Sequence, residues 1–437
     1  MAITNVQSST ASSSETRPTN KPALAMMTTL FFMWGFLTVL NDILVPHLKA
    51  IFDLNYFKVM LIQFAFFSSY FVFAFPWGKV IDRIAYQKTM VAGLLTMALG
   101  AFLFIPAASV PSFPLFLGAL IVLACGMTAL QVAANPYVAV LGPSTTASSR
   151  LNLAQAFNSL GTTIGPYIGG LLILSAAPKS ADVLHQMTAE AVQLYRQQQA
   201  SSVKLPYLIF AAVLLALAVV IGRFKLPAMA EATHHRSEAK EASLWEYRHL
   251  VLGAIGIFTY VGAEVAIGSF LINYLAQPSI GNMSEVAAAR YVSYYWGGAM
   301  VGRFIGSAIL QKVRTSTVVA TAAIAACVLV TTSMLSLGHV AVWSIILVGL
   351  FNSIMFPSIF TMGIEKLGPR TGDGSGVLIM AIVGGAIIPV VQGAIADRIG
   401  IHHAFFLPAI CYLYILYYAV RGSRPVVPAT HDVAMAR

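Results

Sequence analysis

The sequence predicts an all-α integral membrane protein, with 12 transmembrane helices in two six-helix bundles. Three observations carry that expectation. Only 10% of the 437 residues are charged and 58% are hydrophobic, with a mean hydropathy of +0.78, whereas a soluble domain carries about 25% charged residues. Twelve apolar segments recur along the chain, at or near the ~20 residues needed to cross the hydrocarbon core. The most polar internal run, KLPAMAEATHHRSEAKEASLWEYRH from Lys225 to His249, falls after the sixth segment and divides the twelve into two sets of six.

Residues 1–22 are polar and rich in Ser and Thr, the composition of a disordered cytoplasmic N-terminus, and they lack the basic and short apolar regions of a cleaved signal peptide. The first bundle, 23–224, holds segments near 24–48, 57–80, 88–108, 113–139, 152–176 and 204–224. A cytoplasmic linker, 225–248, follows; its stretch 244–249 reads as a short interfacial helix. The second bundle, 249–420, holds segments near 249–275, 289–311, 315–336, 340–365, 374–396 and 401–420, and a tail, 421–437, ends the chain.

Charge sets the orientation. The great majority of the 26 Lys and Arg residues, among them Lys79, Arg83, Lys88, Arg150, Arg223, Lys312, Arg314, Lys366 and Arg370, fall on one side of this threading. The positive-inside rule makes that side cytoplasmic. The reading is a multi-pass protein of the cell's inner (plasma) membrane with both termini cytoplasmic and the loop 177–203 external. The net charge of +10 sits at segment ends, not in a basic stripe with interleaved aromatics, which excludes nucleic acid.

Several classes drop out. Cys125, Cys327 and Cys411 lie inside separate apolar segments, so no disulfide framework or thiolate metal site is indicated. The pairs His234-His235 and His402-His403 lack ligand spacing. No phosphate-binding loop, nucleophile elbow or HExxH run is present. No enzyme, cofactor or metal is expected.

The first segment, LAMMTTLFFMWGFLTVLNDILVPHL, carries Asn41-Asp42. An ionised Asp at the centre of a membrane helix costs at least roughly 2.5–3.5 kcal/mol, so such a residue faces protein or water and marks an ion or substrate path. Gln131 and Asn135 lie four apart and Gln155 and Asn158 three apart, so each pair shares a helix face. Carboxamides both donate and accept, as the hydroxyls of a neutral sugar do. Gln63 and Asn352 join this set, and Trp34 or Trp296 could present a ring face to the sugar's C–H side. The competing reading is that buried amides merely join helices. The halves also echo each other: ANPYVAVLGP then GTTIGPYIGG in the first, MFPSIFTMGIEKLGP then GGAIIPVVQG in the second, a sign of internal repeats. Pro136, Pro166, Pro357 and Pro389 would then loosen helices at matched depths.

The loop GKVIDRIAYQK, from Gly78 to Lys88, resembles the GxxxDRxGRR signature of the major facilitator superfamily, with Ala85 in place of its second Gly. Gly78, Asp82 and Arg83 correspond to that motif, and Arg303 gives a weaker counterpart after the eighth segment; the four read as a gate latch. WGFLTVLNDILVP, LQVAANPYVAVLGP and RLNLAQAFNSLGTTIGP look like the fucose–proton symporter branch, which includes glucose/galactose and N-acetylglucosamine transporters. The resemblance implies import of a monosaccharide with a cation, proton or sodium, by alternating access in a monomer surrounded by lipid. It assigns ion coupling to Asp42. The branch's fourth-helix Glu is Gln131 here, and Glu264 in YVGAEVAIGSF is the second candidate coupling carboxylate. The run GTTIGPYIGG also matches a pattern of drug–proton antiporters, so an exporter of drugs or metabolites is the alternative class.

Overall fold

A computed structural model describes residues 18–52, 56–109, 112–173, 204–227 and 243–426, with short pieces between 186 and 195. The side chains of 37–61, 63, 166–173, 285, 286 and 289 lie outside the described residues. Among the described residues, twelve long helices follow the apolar segments closely. They are α1 (Lys21–Phe52), α2 and α3 (56–84 and 86–109), α4 (Phe113–Val140), α5 (Ala147–Ile173) and α6 (Lys204–Arg223). The second set comprises α7 (Arg248–Ala276), α8 (Glu285–Ile309), α9 (Thr315–Leu335), α10 (Gly338–Gly363), α11 (Gly368–Ile399) and α12 (Ile401–Gly422).

One bend separates α2 from α3. Ala85 sits at φ 67°, ψ 166°, a region that only glycine occupies without strain. This is the position at which the loop signature has its second Gly. The interfacial helix expected at 244–249 is a single 3-10 turn, Leu244–Glu246, because Arg248 and His249 already belong to α7. A few residues cannot offset the cost of helix nucleation; the turn is held instead by the Ser243 N–H, which donates to Glu246 Oε1 at 3.0 Å.

Within each half, small residues let helices approach closely, the usual device where lipid removes the hydrophobic drive between helices. Gly35 and Gly161 bring α1 against α5: a Cβ at 161 would lie 2.7 Å from the Phe36 nitrogen. Gly93 and Gly126 do the same for α3 and α4. Gly161 of the GTTIGPYIGG run is therefore a packing residue. Large apolar side chains such as Phe64, Leu99, Val328 and Ile410 are exposed on the outside, the surface a bilayer would cover.

The end carrying the 78–88 loop, here the loop end, is fastened by side chains that take up helix-terminal carbonyls. The buried Arg150 donates from Nε to Val138 O (3.2 Å), from Nη2 to Ala139 O and to Gly142 O, and from Nη1 to Thr146 Oγ1 (2.6 Å), capping α4. Gln87 Nε2 donates to Ile221 O and Phe224 O at the end of α6, at 2.7 and 2.8 Å. In the second half the fully buried His249 accepts from the Val426 N–H at Nδ1 (3.3 Å) and pairs through Nε2 with Glu365 O (2.8 Å). An Nδ1 acceptor leaves the proton on Nε2, so Nε2 is the donor.

Candidate functional site

Proline chemistry shapes the site's walls. A proline inside a helix has no N–H for the carbonyl four residues back, and its ring crowds that carbonyl. Pro136 frees the carbonyl of Val132, and the Ser375 hydroxyl from α11 donates to it at 2.8 Å. Pro357 frees the carbonyl of Ser353, and Arg303 Nε donates to that one at 3.1 Å. The break in α10 between Asn352 and Met355 falls at the same spot.

In the first half, α4 and α5 turn amides toward each other. Gln155 Nε2 donates to Asn135 Oδ1 at 3.4 Å, and Asn135 Nδ2, fully buried, has no hydrogen-bond partner among the described residues. Gln131 Nε2 donates to the Tyr70 hydroxyl of α2 at 3.1 Å. Asn158 Nδ2 donates to Phe31 O of α1 at 3.0 Å. Trp34 is buried, with its ring edge-on to Phe31 at 5.4 Å between centroids. Asn135 and Gln155, one from each of the two spaced pairs, thus meet across helices. Asn158 spends its donor on joining α5 to α1.

In the second half, Glu264 of α7 accepts from the Tyr260 hydroxyl one turn earlier at 2.7 Å. It forms no salt bridge among the described residues, yet Arg303 of α8 lies within electrostatic reach, as do the hydroxyls of Tyr295 and Tyr412. Asn352, fully buried on α10, donates to the Tyr295 hydroxyl at 2.8 Å. The Tyr412 hydroxyl lies by the same amide without closing a hydrogen bond, so it and Asn352 Oδ1 have no partner among the described residues. Trp296 is 43% exposed, against Gly268 of α7.

At the loop end the halves meet through a set of hydroxyl and amide contacts. Ser149 Oγ donates to Ser307 O at 2.7 Å, and Ser307 Oγ returns a bond to Ser149 O at 2.9 Å. The Ser148 and Thr361 hydroxyls are 2.6 Å apart, Thr315 Oγ1 donates to Ser148 Oγ at 2.9 Å, and Asn152 Nδ2 donates to Ser358 Oγ at 3.3 Å. Beside them α2 packs on the start of α11: a Cβ on Gly78 would lie 2.8 Å from Gly372 O, and one on Gly372 would lie 3.1 Å from Asp82 Oδ1. An aspartate at a helix N-terminus is favoured by the free N–H groups and the helix dipole. Deeper in, Arg303 Nη1 donates to Ser159 Oγ of α5.

Of the predicted gate residues, Gly78, Asp82 and Arg303 lie at contacts between the halves, while Arg83 is exposed. Asn41, Asp42 and Gln63 have side chains outside the described residues. Sequence reasoning missed Tyr70, Tyr295, Tyr412 and the seryl and threonyl set. The Ser148-Ser149 pair opening α5 was the only visible sign of that set.

Two six-helix halves, joined by breakable hydroxyl contacts at one end around buried amides and a carboxylate, have the architecture of a secondary carrier. Residues 24–382 match the Major Facilitator Superfamily, and the chain belongs to that family. It is 53% identical over 402 residues to a glucose/galactose transporter of Brucella abortus biovar 1 (strain 9-941), covering 92% of this chain and 94% of that one. It is 38% identical to the L-fucose-proton symporter of Escherichia coli (strain K12), covering 90% and 92%. A solved structure of the superfamily transporter FucP in its outward conformation superposes with a TM-score of 0.85 at 37% identity, over 91% of this chain and 97% of that one.

Proposed function

We propose that this protein imports a monosaccharide of the glucose or galactose type together with a cation, the proton being favoured, by alternating access in the inner membrane with both termini cytoplasmic. The observation that carries the reading is the cross-helix amide cluster of α4 and α5, with Asn135 Nδ2 buried and without a partner among the described residues, in a chain 53% identical to a glucose/galactose transporter. A buried unpaired amide costs about 1–3 kcal/mol, and a sugar hydroxyl accepting from it recovers that. Gln131, Asn135 and Gln155 form the sugar-binding surface in this reading, with Asn41, Gln63, Asn158, Trp34, Trp296 and Asn352 as further contacts.

The closed loop-end contacts support an outward-facing state, since the loop end is the cytoplasmic side under the positive-inside assignment. Asp42 and Glu264 are the coupling carboxylates. Protonation from outside removes a charge and lets the loaded protein turn; an inward-open state returns the proton to water. Purified protein in proteoliposomes, given a panel of labelled sugars under separate proton and sodium gradients, tests this. Accumulation of glucose or galactose driven by inside-alkaline pH is expected. Absence of sugar uptake under every gradient, with dye or metabolite export in its place, would overturn the reading.

A further inference from the structure

A stripe of polar side chains on α5 runs from the loop end up to the amide cluster. Ser148, Asn152 and Gln155 recur at spacings of four and three, so they share one helix face. The two ends of the stripe are engaged. The Ser148 hydroxyl meets those of Thr361 and Thr315 in the other half, and Gln155 Nε2 donates to Asn135 Oδ1. Asn152 lies between them, fully buried and only half used. Its Nδ2 donates to Ser148 O of its own helix at 2.9 Å and to Ser358 Oγ of α10, in the other half, at 3.3 Å. Its Oδ1 has no hydrogen-bond partner among the described residues. A buried acceptor left without a donor is costly, and an amide that served only to join helices would not leave one. One turn above it, Asn135 Nδ2 is a donor in the same position.

We propose that Asn152 is an exit subsite for the sugar, a carboxamide that takes up its hydroxyls on the cytoplasmic side once the halves part at the loop end. Ser358 belongs to the C-terminal half and leaves with it, which frees Nδ2 for a new acceptor. Ser148 O stays, because it lies on the same helix. The opened amide then presents a donor and an acceptor one turn nearer the cytoplasm than Gln155, and sugar hydroxyls complement both. With the loop end closed, Ser358 is seated on the amide and none of the side chain is exposed. The subsite therefore acts from one face of the membrane alone. This assignment rests on the transport reading above and deepens it, adding a residue that binds the monosaccharide on its way out.

The test compares the two faces. Uptake of labelled glucose and galactose is measured in right-side-out and inverted membrane vesicles, made from cells without other hexose carriers, for wild type, N152L, N152A and S358A. In N152L the half-saturation at the cytoplasmic face should rise roughly three- to tenfold, the worth of a hydrogen bond to a neutral partner, while that at the external face stays within about twofold. S358A removes the clasp and keeps Asn152, so its cytoplasmic half-saturation should stay level or fall. A residue that only clasps the gate predicts the opposite sign for N152L, because a looser loop end favours the inward-open state. A cytoplasmic half-saturation that falls or stays level in N152L, or one that rises equally at both faces, overturns the proposal. Where N152L fails to reach the membrane on immunoblots, N152A, which only shortens the side chain, carries the same comparison. If wild type takes up neither sugar in either kind of vesicle, the transport reading fails; if uptake is present and N152L matches S358A, only the subsite fails.

Discussion

The reciprocal pair Ser149–Ser307 offers a direct measure of what holds the loop end shut. Both residues are about 5% exposed, and each hydroxyl donates to the other's backbone carbonyl across the two halves, at 2.7 and 2.9 Å. Ser307 lies in the last turn of α8, where carbonyls lack intrahelical partners, so the Ser149 hydroxyl satisfies a group that otherwise needs water. Replacing both serines by alanine removes two buried hydrogen bonds from the closed state and leaves those carbonyls to water in the open one. At about 1 kcal/mol each, the closed state loses about 2 kcal/mol. With 1.4 kcal/mol for every tenfold change, the closed-to-open ratio falls about 30-fold. Spin labels at the exposed Lys88 and Lys312, in a background without Cys125, Cys327 and Cys411, report the separation of the halves by pulsed dipolar spectroscopy. The long-distance population should grow in S149A/S307A. Thr259→Ala, which removes a hydroxyl bonded within its own helix, should leave the distribution alone. A ratio changed by less than about threefold in the double variant would refute the reasoning that hydroxyls, and not the remaining interface, hold the gate.

Four other outcomes follow from the same geometry. Pro136→Ala returns an N–H that competes for Val132 O, so it should weaken the Ser375 bridge and open the loop end by a few-fold in the same distance assay. Ala85→Gly relieves a backbone strained at φ 67° and should stabilise the protein by about 1 kcal/mol, read as a higher midpoint of thermal denaturation. Gly78→Val places carbon against Gly372 O and should cut transport at least about tenfold by blocking closure, with binding of sugar at the open face retained. Arg150→Met strips the end of α4 of bonds to three carbonyls and should lower stability by about 3 kcal/mol or more, seen as a fall in the denaturation midpoint.

Much of the fold was legible because a bilayer restricts the choices. An apolar run of the right length has to be a helix, so the twelve segments match the observed helices to within a few residues at most ends. Pro136 and Pro357 were legible as places where helices loosen. What they do was not, because Ser375 and Arg303, which take the freed carbonyls, are far away in sequence. The gate hydroxyls were hidden for a different reason. Serine and threonine in membrane helices commonly bond back to their own helix, as Ser69 does to Ala65 O, and composition does not distinguish those from Ser149. Helical spacing puts Gln131 with Asn135 and Gln155 with Asn158 on one helix face each, but the contact of Gln155 with Asn135 joins two helices and so was not legible. The short helix expected at 244–249 gave way to one turn because Arg248 and His249 belong to α7, which leaves too few residues for a helix of its own.

His249 has a mechanical consequence. One ring at the start of α7 grips the backbone after α10 and the backbone at Val426, while its own carbonyl accepts from the Tyr418 hydroxyl of α12. The first, middle and last parts of the C-terminal half are thus clamped at a single point. A half tied together in this way resists hinging within itself at the loop end, so its helices there shift together.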